Sequence, residues 1–334
     1  MKQIDILAIG DITIDAFIKL KDAQVNCDIN HEHCKLCFGF GDKVPYESVI
    51  VCNAVGNAPN SAVCASRLGL TSAVLTYVGN DQNGKDCLNE LQKNNVDTRY
   101  VKTIENKKTN YHYILWYDVD RTILTRHEEF SYSLDGVEPP KWIYFSSLGE
   151  NSLDFHNEIA DFVENSPAGE QKIKLTFQPG TFQIKIGPKV LERVYKNTEI
   201  FFCNVEEAQK ILSEESRELP ILLQKMADLG PKIVVITDGF EGAYFFDTKN
   251  NNKYFMPIYP HTPIERTGAG DSYSSTIVSA LALGKTLEEA MLWAPINSQS
   301  VVQQIGSQKG LLTPEKIQEF LDKAPENFKP VRIV

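Results

Sequence analysis

Residues 56–79 read GNAPNSAVCASRLGL followed by TSAVLTYVG. The first part carries small and apolar residues at helical spacing over 59–68, and the run at 72–79 is short, apolar and β-rich. A helix that leads into an almost wholly apolar strand is the repeating unit of a parallel sheet buried on both faces. The unit recurs outward from this stretch. IDILAIG (4–10), KWIYFS (141–146), IKLTF (173–177), TEIFFCN (198–204) and KIVVIT (232–237) read as strands, and helical patterns occupy 84–94, 153–164, 205–212 and 220–229. From Gly268 the pattern is helical almost to the end, over 271–283, 287–305 and 314–323. The expected fold is a single α/β domain over 1–334, with a mostly parallel central sheet and helices on both faces.

Two regions break the rhythm. Runs at 12–20 and 43–52, and then at 99–103, 109–117 and 121–126, are strand-like without intervening helices. TNYHYILWYDVDRTIL (109–124) is rich in aromatic and β-branched residues and has no helical stripe. These pieces predict a small β-sheet lid formed by about 12–52 and 99–126.

The formal net charge of −10 lacks the basic face that nucleic acid requires, so no nucleic-acid partner is expected. A few backbone amides can still hold an anionic nucleotide on an acidic protein. No run reaches the length of a membrane span, and Asp5 interrupts the only apolar run at the N-terminus. A cytoplasmic protein without a membrane partner is therefore expected. Seven cysteines, an odd number in a long chain, point to reduced thiols. Within NCDINHEHCKLCFGFGDKVP, Cys27, His31, Cys34 and Cys37 supply the residue types of a tetrahedral zinc site. Paired CxxC units are the stronger zinc signature and only one is present, so a lid loop with free thiols is preferred to structural zinc.

The chemistry concentrates in Glu265-Arg266-Thr267-Gly268-Ala269-Gly270-Asp271, directly before SYSSTIVSALALG. Gly268, Ala269 and Gly270 let the backbone approach a ligand, and the first amides of the following helix can face an anion. Asp271 beside such an anion hole can take a proton from a hydroxyl. By itself the run also describes a Gly-rich turn with an N-capping Asp. GAGDSY is not a dinucleotide fingerprint, because Tyr273 stands where a third small residue belongs. SALALGKT (279–286) is not a P-loop, because Ser279 replaces its first glycine and the segment continues a helix.

With its companions, the run resembles the ribokinase-like (PfkB) carbohydrate kinases, whose signature reads approximately D-T-x-G-A-G-D. Residues 56–70 and 77–101 are similar to the family's N-terminal signature. Asn204-x-x-Glu207 is similar to its N-x-x-E, Thr237-Asp-Gly239-Phe-Glu-Gly242 to its phosphate turn, and 296–311 to its closing segment by the adenine pocket. The resemblance runs in order from about residue 4 to 312.

It implies an ATP-dependent kinase acting on a hydroxyl of a small sugar or polyol. Asp271 is then the base and Gly268, Ala269 and Gly270 the anion hole. Asn204, Glu207, Thr237, Gly239, Gly242 and Asn297 fall to the nucleotide, with Glu207 holding Mg²⁺ through water. Asp15, Asp11, Gly56, Asn57 and Asn60 fall to the substrate, since carboxylates accept the paired hydroxyls of a sugar. Val55 departs from the family's Gly-Gly pair, and Glu265-Arg266 from its Asp-Thr, a region that helps hold a monovalent cation in many relatives; such a cation stays an open expectation. Other readings are a nucleoside kinase, with Tyr111, Tyr113, Trp116 and Tyr117 stacking the base, and a catalytically silent sugar or nucleotide sensor. The same aromatics also suit lid core or a homodimer through the lid.

Overall fold

The computed structural model describes residues 3–27, 34–117 and 120–333. Its large sheet has the order β16 (Val331–Ile333), β15 (Asn252–Met256), β14 (Ala243–Asp247), β13 (Ile233–Thr237), β12 (Thr198–Asn204), β11 (Lys174–Phe177), β10 (Trp142–Phe145), β1 (Ile6–Ile9), β6 (Ser72–Gly79), β7 (Val101–Ile104). From β13 to β7 every pairing is parallel, and β14, β15 and β16 extend the edge antiparallel. The first strand shows why its residues are apolar throughout. Ile6 and Ala8 belong to one core, Leu7 and Ile9 to the other, and all four are fully buried. Alternation on a strand covered on both faces puts an apolar group at every position.

One core receives α1 (Asn57–Arg67), α8 (Ala269–Ala282), α9 (Leu287–Val302) and α10 (Pro314–Leu321). The other receives α3 (Leu153–Glu164), α5 (Glu192–Asn197), α6 (Val205–Leu212) and α7 (Leu219–Ala227). Two helices complete the set, α2 (Gln82–Lys93) after β6 and α4 (Thr181–Ile186) after β11. SALALGKT does continue a helix, ending α8 and reaching the capping Thr286 of α9.

The lid is a four-stranded sheet in the order β5 (Tyr46–Val55), β2 (Thr13–Leu20), β8 (Asn110–Tyr117), β9 (Asp120–Leu124). The segment near 99–103, grouped above with the lid, instead contributes β7 to the large sheet, where Val101 pairs with Thr76. Strand propensity alone does not say which sheet a short edge strand joins. A further hairpin, β3 (Gln24–Asn26) with β4 (Lys35–Cys37), brackets the cysteine-rich stretch. Cys27 and Cys34 are joined there as a disulfide, contrary to the expectation of reduced thiols, while Cys37 is free. The pairing removes two of the four residues that a zinc site would use; His31 and His33 lie outside the described residues.

The lid is anchored through Asp81. Its carboxylate caps α2 by accepting from the Gly84 amide at 2.9 Å. It also accepts from the Thr109 amide at 3.1 Å and hydroxyl at 2.7 Å, immediately before β8. Asp81→Ala removes a cap and two charge-assisted bonds at once. It is expected to destabilise the protein by about 1–3 kcal/mol, read as a lower denaturant midpoint.

Candidate active site

The parallel strands end together, and their C-terminal ends carry the polar residues. Asp11 follows β1, Gln178 follows β11, Asn204 closes β12 and Thr237 closes β13. A crevice beyond the carboxyl ends of parallel strands is where open α/β sheets bind ligands. The N-terminus of α8 enters this crevice, with Gly268 as its cap. Gly268 has φ 83°, and a Cβ there would lie 2.5 Å from that of Ser307, so only glycine fits. The amide of Ala269 bonds the Arg266 carbonyl and that of Ser272 the Gly268 carbonyl. Among the described residues, those of Gly270 and Asp271 have no acceptor, which leaves two donors at the positive end of a helix.

Asp271 is the third residue of α8 and is partly buried. Its Oδ1 accepts from Asn57 Nδ2 at 2.7 Å and Gln178 Nε2 at 3.2 Å, and its Oδ2 accepts from Asn60 Nδ2 at 2.7 Å. Burial raises the Asp271 pKa above the usual carboxylate value, while the three amides oppose that rise and the nearby Asp15 adds to it. Asn60 is oriented by its own oxygen, which accepts from Ser307 Oγ at 2.8 Å and Gln308 Nε2 at 2.9 Å. Gly56, with φ 114°, stands against the Asp11 carbonyl, where a Cβ would come within 2.7 Å. Asn57 and Asn60, expected to read substrate hydroxyls, thus hold the carboxylate expected to be the base.

On the lid side, Asp15 and His112 are register partners across β2 and β8, with Oδ1 3.3 Å from His112 Nδ1. Asp15 Oδ1 and His112 Nε2 are buried without a hydrogen-bond partner. Asp11 accepts from the Tyr132 hydroxyl at 2.8 Å and lies 3.8 Å from His127 Nδ1. Burial pushes the Asp11 pKa up to about 6, against the Tyr132 bond, the Gly149 amide and His112, which favour its ionised form. Burial, and then His112, holds the His127 pKa below its usual value. Gln178, His112, His127 and Tyr132 were not singled out from the sequence. His112 could have been found as the β8 partner of Asp15, and Gln178 as the first polar residue after β11.

On the other side lies an apolar pocket lined by Thr237, Gly239, Phe240, Gly242, Met256, Ile258, His261, Arg266, Ala269, Gly270, Ser298 and Gln299, among others. The Arg266 guanidinium sits over the Phe240 ring at 4.9 Å. Asn204 and Glu207 form a capping box at the start of α6: the Glu207 amide donates to Asn204 Oδ1 at 2.8 Å, and Glu207 Oε2 accepts from the Asn204 amide at 2.9 Å. Burial raises the Glu207 pKa, and the neighbouring Asp271 charge adds to it. Asn297 does not reach the pocket. It is fully buried, donating to Thr276 Oγ1 at 2.8 Å and accepting from the Leu312 amide at 2.8 Å. Its successors Ser298 and Gln299 face the pocket instead, a helical turn of one residue that the spacing did not resolve.

Glu265 is buried beneath the loop and accepts from the Thr267 amide at 2.9 Å and hydroxyl at 2.7 Å. Arg121 of the lid strand β9 reaches it at 3.4 Å, so a guanidinium stands beside this carboxylate. Of the aromatic residues considered above for base stacking, Tyr111 and Tyr113 pack on each other on the sheet face opposite Asp15 and His112, whereas Trp116 shares the His112 face of β8 and lies under Lys19.

Because the Tyr132 hydroxyl donates to Asp11, its removal disfavours the ionised carboxylate. Tyr132→Phe is expected to raise the Asp11 pKa above about 6, measured by carbon-detected carboxyl titration.

Over 275 residues the chain is 23% identical to the ribokinase of Bacillus subtilis, covering 80% of this chain and 87% of that one. Over 276 residues it is 26% identical to a nucleoside kinase of Methanothermobacter thermautotrophicus, covering 79% and 84%. The fold superposes on Arabidopsis thaliana ribokinase, solved with ribose and ATP, with TM-score 0.78 at 16% identity over 96% of this chain and 99% of that one. Residues 19–314 match the pfkB family carbohydrate kinases, and the chain belongs to that family.

Proposed function

We propose that the protein transfers the γ-phosphoryl group of ATP to a hydroxyl of a small sugar or related polyol, with Asp271 as general base. The observation that carries this reading is the placement of Asp271. Its carboxylate is shared by amides from the α1 side of the crevice, and its own backbone amide and that of Gly270 are left without an acceptor among the described residues, next to the pocket that Gly270, Arg266 and Phe240 line. A proton acceptor and two anion donors thus stand within one turn of one helix.

The reaction needs little covalent work from the protein, so catalysis rests on positioning and charge stabilisation. The acceptor hydroxyl gives its proton to Asp271, its oxygen bonds the γ-phosphorus, and the bond to the β,γ-bridging oxygen breaks, releasing ADP. The amides of Gly270 and Asp271 hold the charge on the transferring group. Thr237, Gly239 and Gly242 line the phosphate end of the pocket. The chemistry of the donor set suits Mg²⁺ bound through water: Glu207 keeps Oε1 outside its capping box, within the electrostatic reach of Asp271. Bound Mg²⁺ would neutralise the phosphate charge. At the acceptor end, Asp11, Asp15, His112 and His127 face the crevice with acceptors for hydroxyls. Tyr111 and Tyr113 of the lid lie on the face opposite Asp15 and His112, which removes two of the aromatics a nucleoside base would stack on.

ADP release on a panel of sugars, polyols and nucleosides tests the reading; failure of every acceptor would favour a silent sensor. With the active acceptor, Asp271→Asn is expected to lose turnover by about 10²–10⁴-fold while still binding nucleotide. In the same assays Asp15→Ala should lower kcat/KM for the acceptor by roughly two orders of magnitude or more, leaving ATP affinity unchanged. Collapse of ATP affinity instead would reverse the two ends of the site.

The lid also carries an apolar row. Val51, Ala16, Tyr113 and Leu124 are register neighbours across its four strands, and Val51, Tyr113 and Leu124 are about half exposed. We read this face as the contact of a homodimer. Sedimentation should show a dimer that Val51→Asp with Leu124→Asp converts to monomer; a monomeric parent protein at micromolar concentration would exclude it.

A further inference from the structure

We propose that Gln178 is a positioning residue for phosphoryl transfer, orienting the Asp271 carboxylate so that one defined oxygen is left for the acceptor hydroxyl. The inference rests on the reading of Asp271 as the general base. Gln178 follows β11 and donates from Nε2 to Asp271 Oδ1 at 3.2 Å, the oxygen that also accepts from Asn57 at 2.7 Å. Among the described residues Oδ2 accepts only from Asn60, at 2.7 Å. Each carboxylate oxygen offers about two lone-pair directions, so Oδ1 is filled and Oδ2 keeps one. The hydroxyl that surrenders its proton therefore meets Oδ2.

Gln178 can do this only with its amide nitrogen, not its oxygen, toward Asp271. The acceptor-only carboxylate requires that orientation, and two hydroxyls at the other end of the amide are compatible with it. Tyr144 donates to Gln178 Oε1, and Ser274 Oγ lies 2.9 Å from the same oxygen and 2.6 Å from the Tyr144 hydroxyl. Tyr144 is fully buried on β10, and Ser274 is buried three residues beyond Asp271 on α8. One helix thus presents both the carboxylate and part of the clamp on the amide that aims it. Buried polar groups in a satisfied network have one arrangement, which is what positioning requires.

Two lesser roles make different predictions. A polar plug would change stability and nothing else, and a simple substrate ligand would change the acceptor KM alone. The test is the pH dependence of kcat with saturating ATP and acceptor. The ionisable groups facing Asp271 are Asp15 from β2, Glu207 from α6 and Tyr144 from β10, and Gln178→Leu alters none of them. Losing a donor to the ionised form raises the pKa of the base, and activity is lost as pH falls through that pKa. Gln178→Leu is therefore expected to move the acidic limb up by roughly one pH unit and to lower kcat by roughly ten- to a hundred-fold. The KM for ATP should hold. Tyr144→Phe, which keeps Gln178 but removes a hydroxyl that orients it, should move the limb the same way by less.

A folded Gln178→Leu protein with its acidic limb at the parent position, or with only the acceptor KM changed, overturns the proposal. Should that variant fail to fold, Tyr144→Phe decides, with a shifted limb supporting the role and an unshifted one refuting it. Asp271→Asn separates the two layers. Turnover retained in Asp271→Asn defeats the general base itself, whereas an inactive Asp271→Asn beside an unmoved limb in Gln178→Leu defeats only the role of Gln178.

Discussion

A carboxylate taken partly out of water must be given donors, and in this protein that requirement falls on Asp271. Its two oxygens receive three side-chain amides, from Asn57 and Asn60 on α1 and from Gln178 after β11. Leaving such a group unpaired costs several kcal/mol, so the elements that supply the amides are tied to the start of α8. The tie extends outward through the amides' own oxygens. Asn60 is fixed by Ser307 and Gln308, and Ser307 packs where only a glycine at 268 leaves room. The glycine cap of α8, the closing segment after α9 and the first helix therefore meet at one carboxylate.

Charge is distributed unevenly around this point. Asp11, Asp15, Glu207 and Asp271 crowd the crevice, and the lowered His127 pKa keeps that imidazole from offsetting them. The positive groups stand apart from the acceptor end: Arg121 is beside the buried Glu265, and Arg266 is over Phe240 at the nucleotide pocket. A field of this sign repels a second anionic group on the acceptor and suits uncharged hydroxyls. Under the proposed function the phosphates would be held by backbone amides, whose dipoles carry no counter-charge to be neutralised when the ligand leaves.

The alternation of apolar runs with helical patterns made the parallel sheet legible, because burial on both faces leaves a signature at every residue of a strand such as Ile6–Ile9. The Gly268–Asp271 run was legible as the start of a helix, which the structure has at α8, while its chemistry was read only with its companion motifs, since alone it also fits an ordinary Gly-rich turn. The amides of Asn57 and Asn60 were identified, but with sugar hydroxyls as their partners. Nothing in local spacing shows that residues 214 and 211 positions away will claim them. Asn297 was misplaced by one helical step, and β7 by one sheet. Gln178 and His112 escaped notice because their meaning lies in what faces them across the crevice, a property of the assembled fold.

The lid enters the chemistry through covalent economy. Asp11 lies between β1 and β2 and Asp15 inside β2, so the three residues 10–12 of continuous chain join the large sheet to the lid. Asp15 is also held by pairing on both sides, with Cys52 on β5 and His112 on β8. A carboxylate in a strand interior, bonded into a ladder on each flank, cannot follow a ligand as a loop residue can. Its position is set by the sheet, and any adjustment to an acceptor must move the lid as a unit about the short 10–12 connection. The same sheet brings Arg121 to Glu265, under the turn that leads into α8. Displacement of the lid is thus felt at both ends of the crevice, by Asp15 at the acceptor and by Glu265 beneath the anion hole. Under the proposed function the two substrates would be linked through this sheet, with no direct contact between their binding residues required.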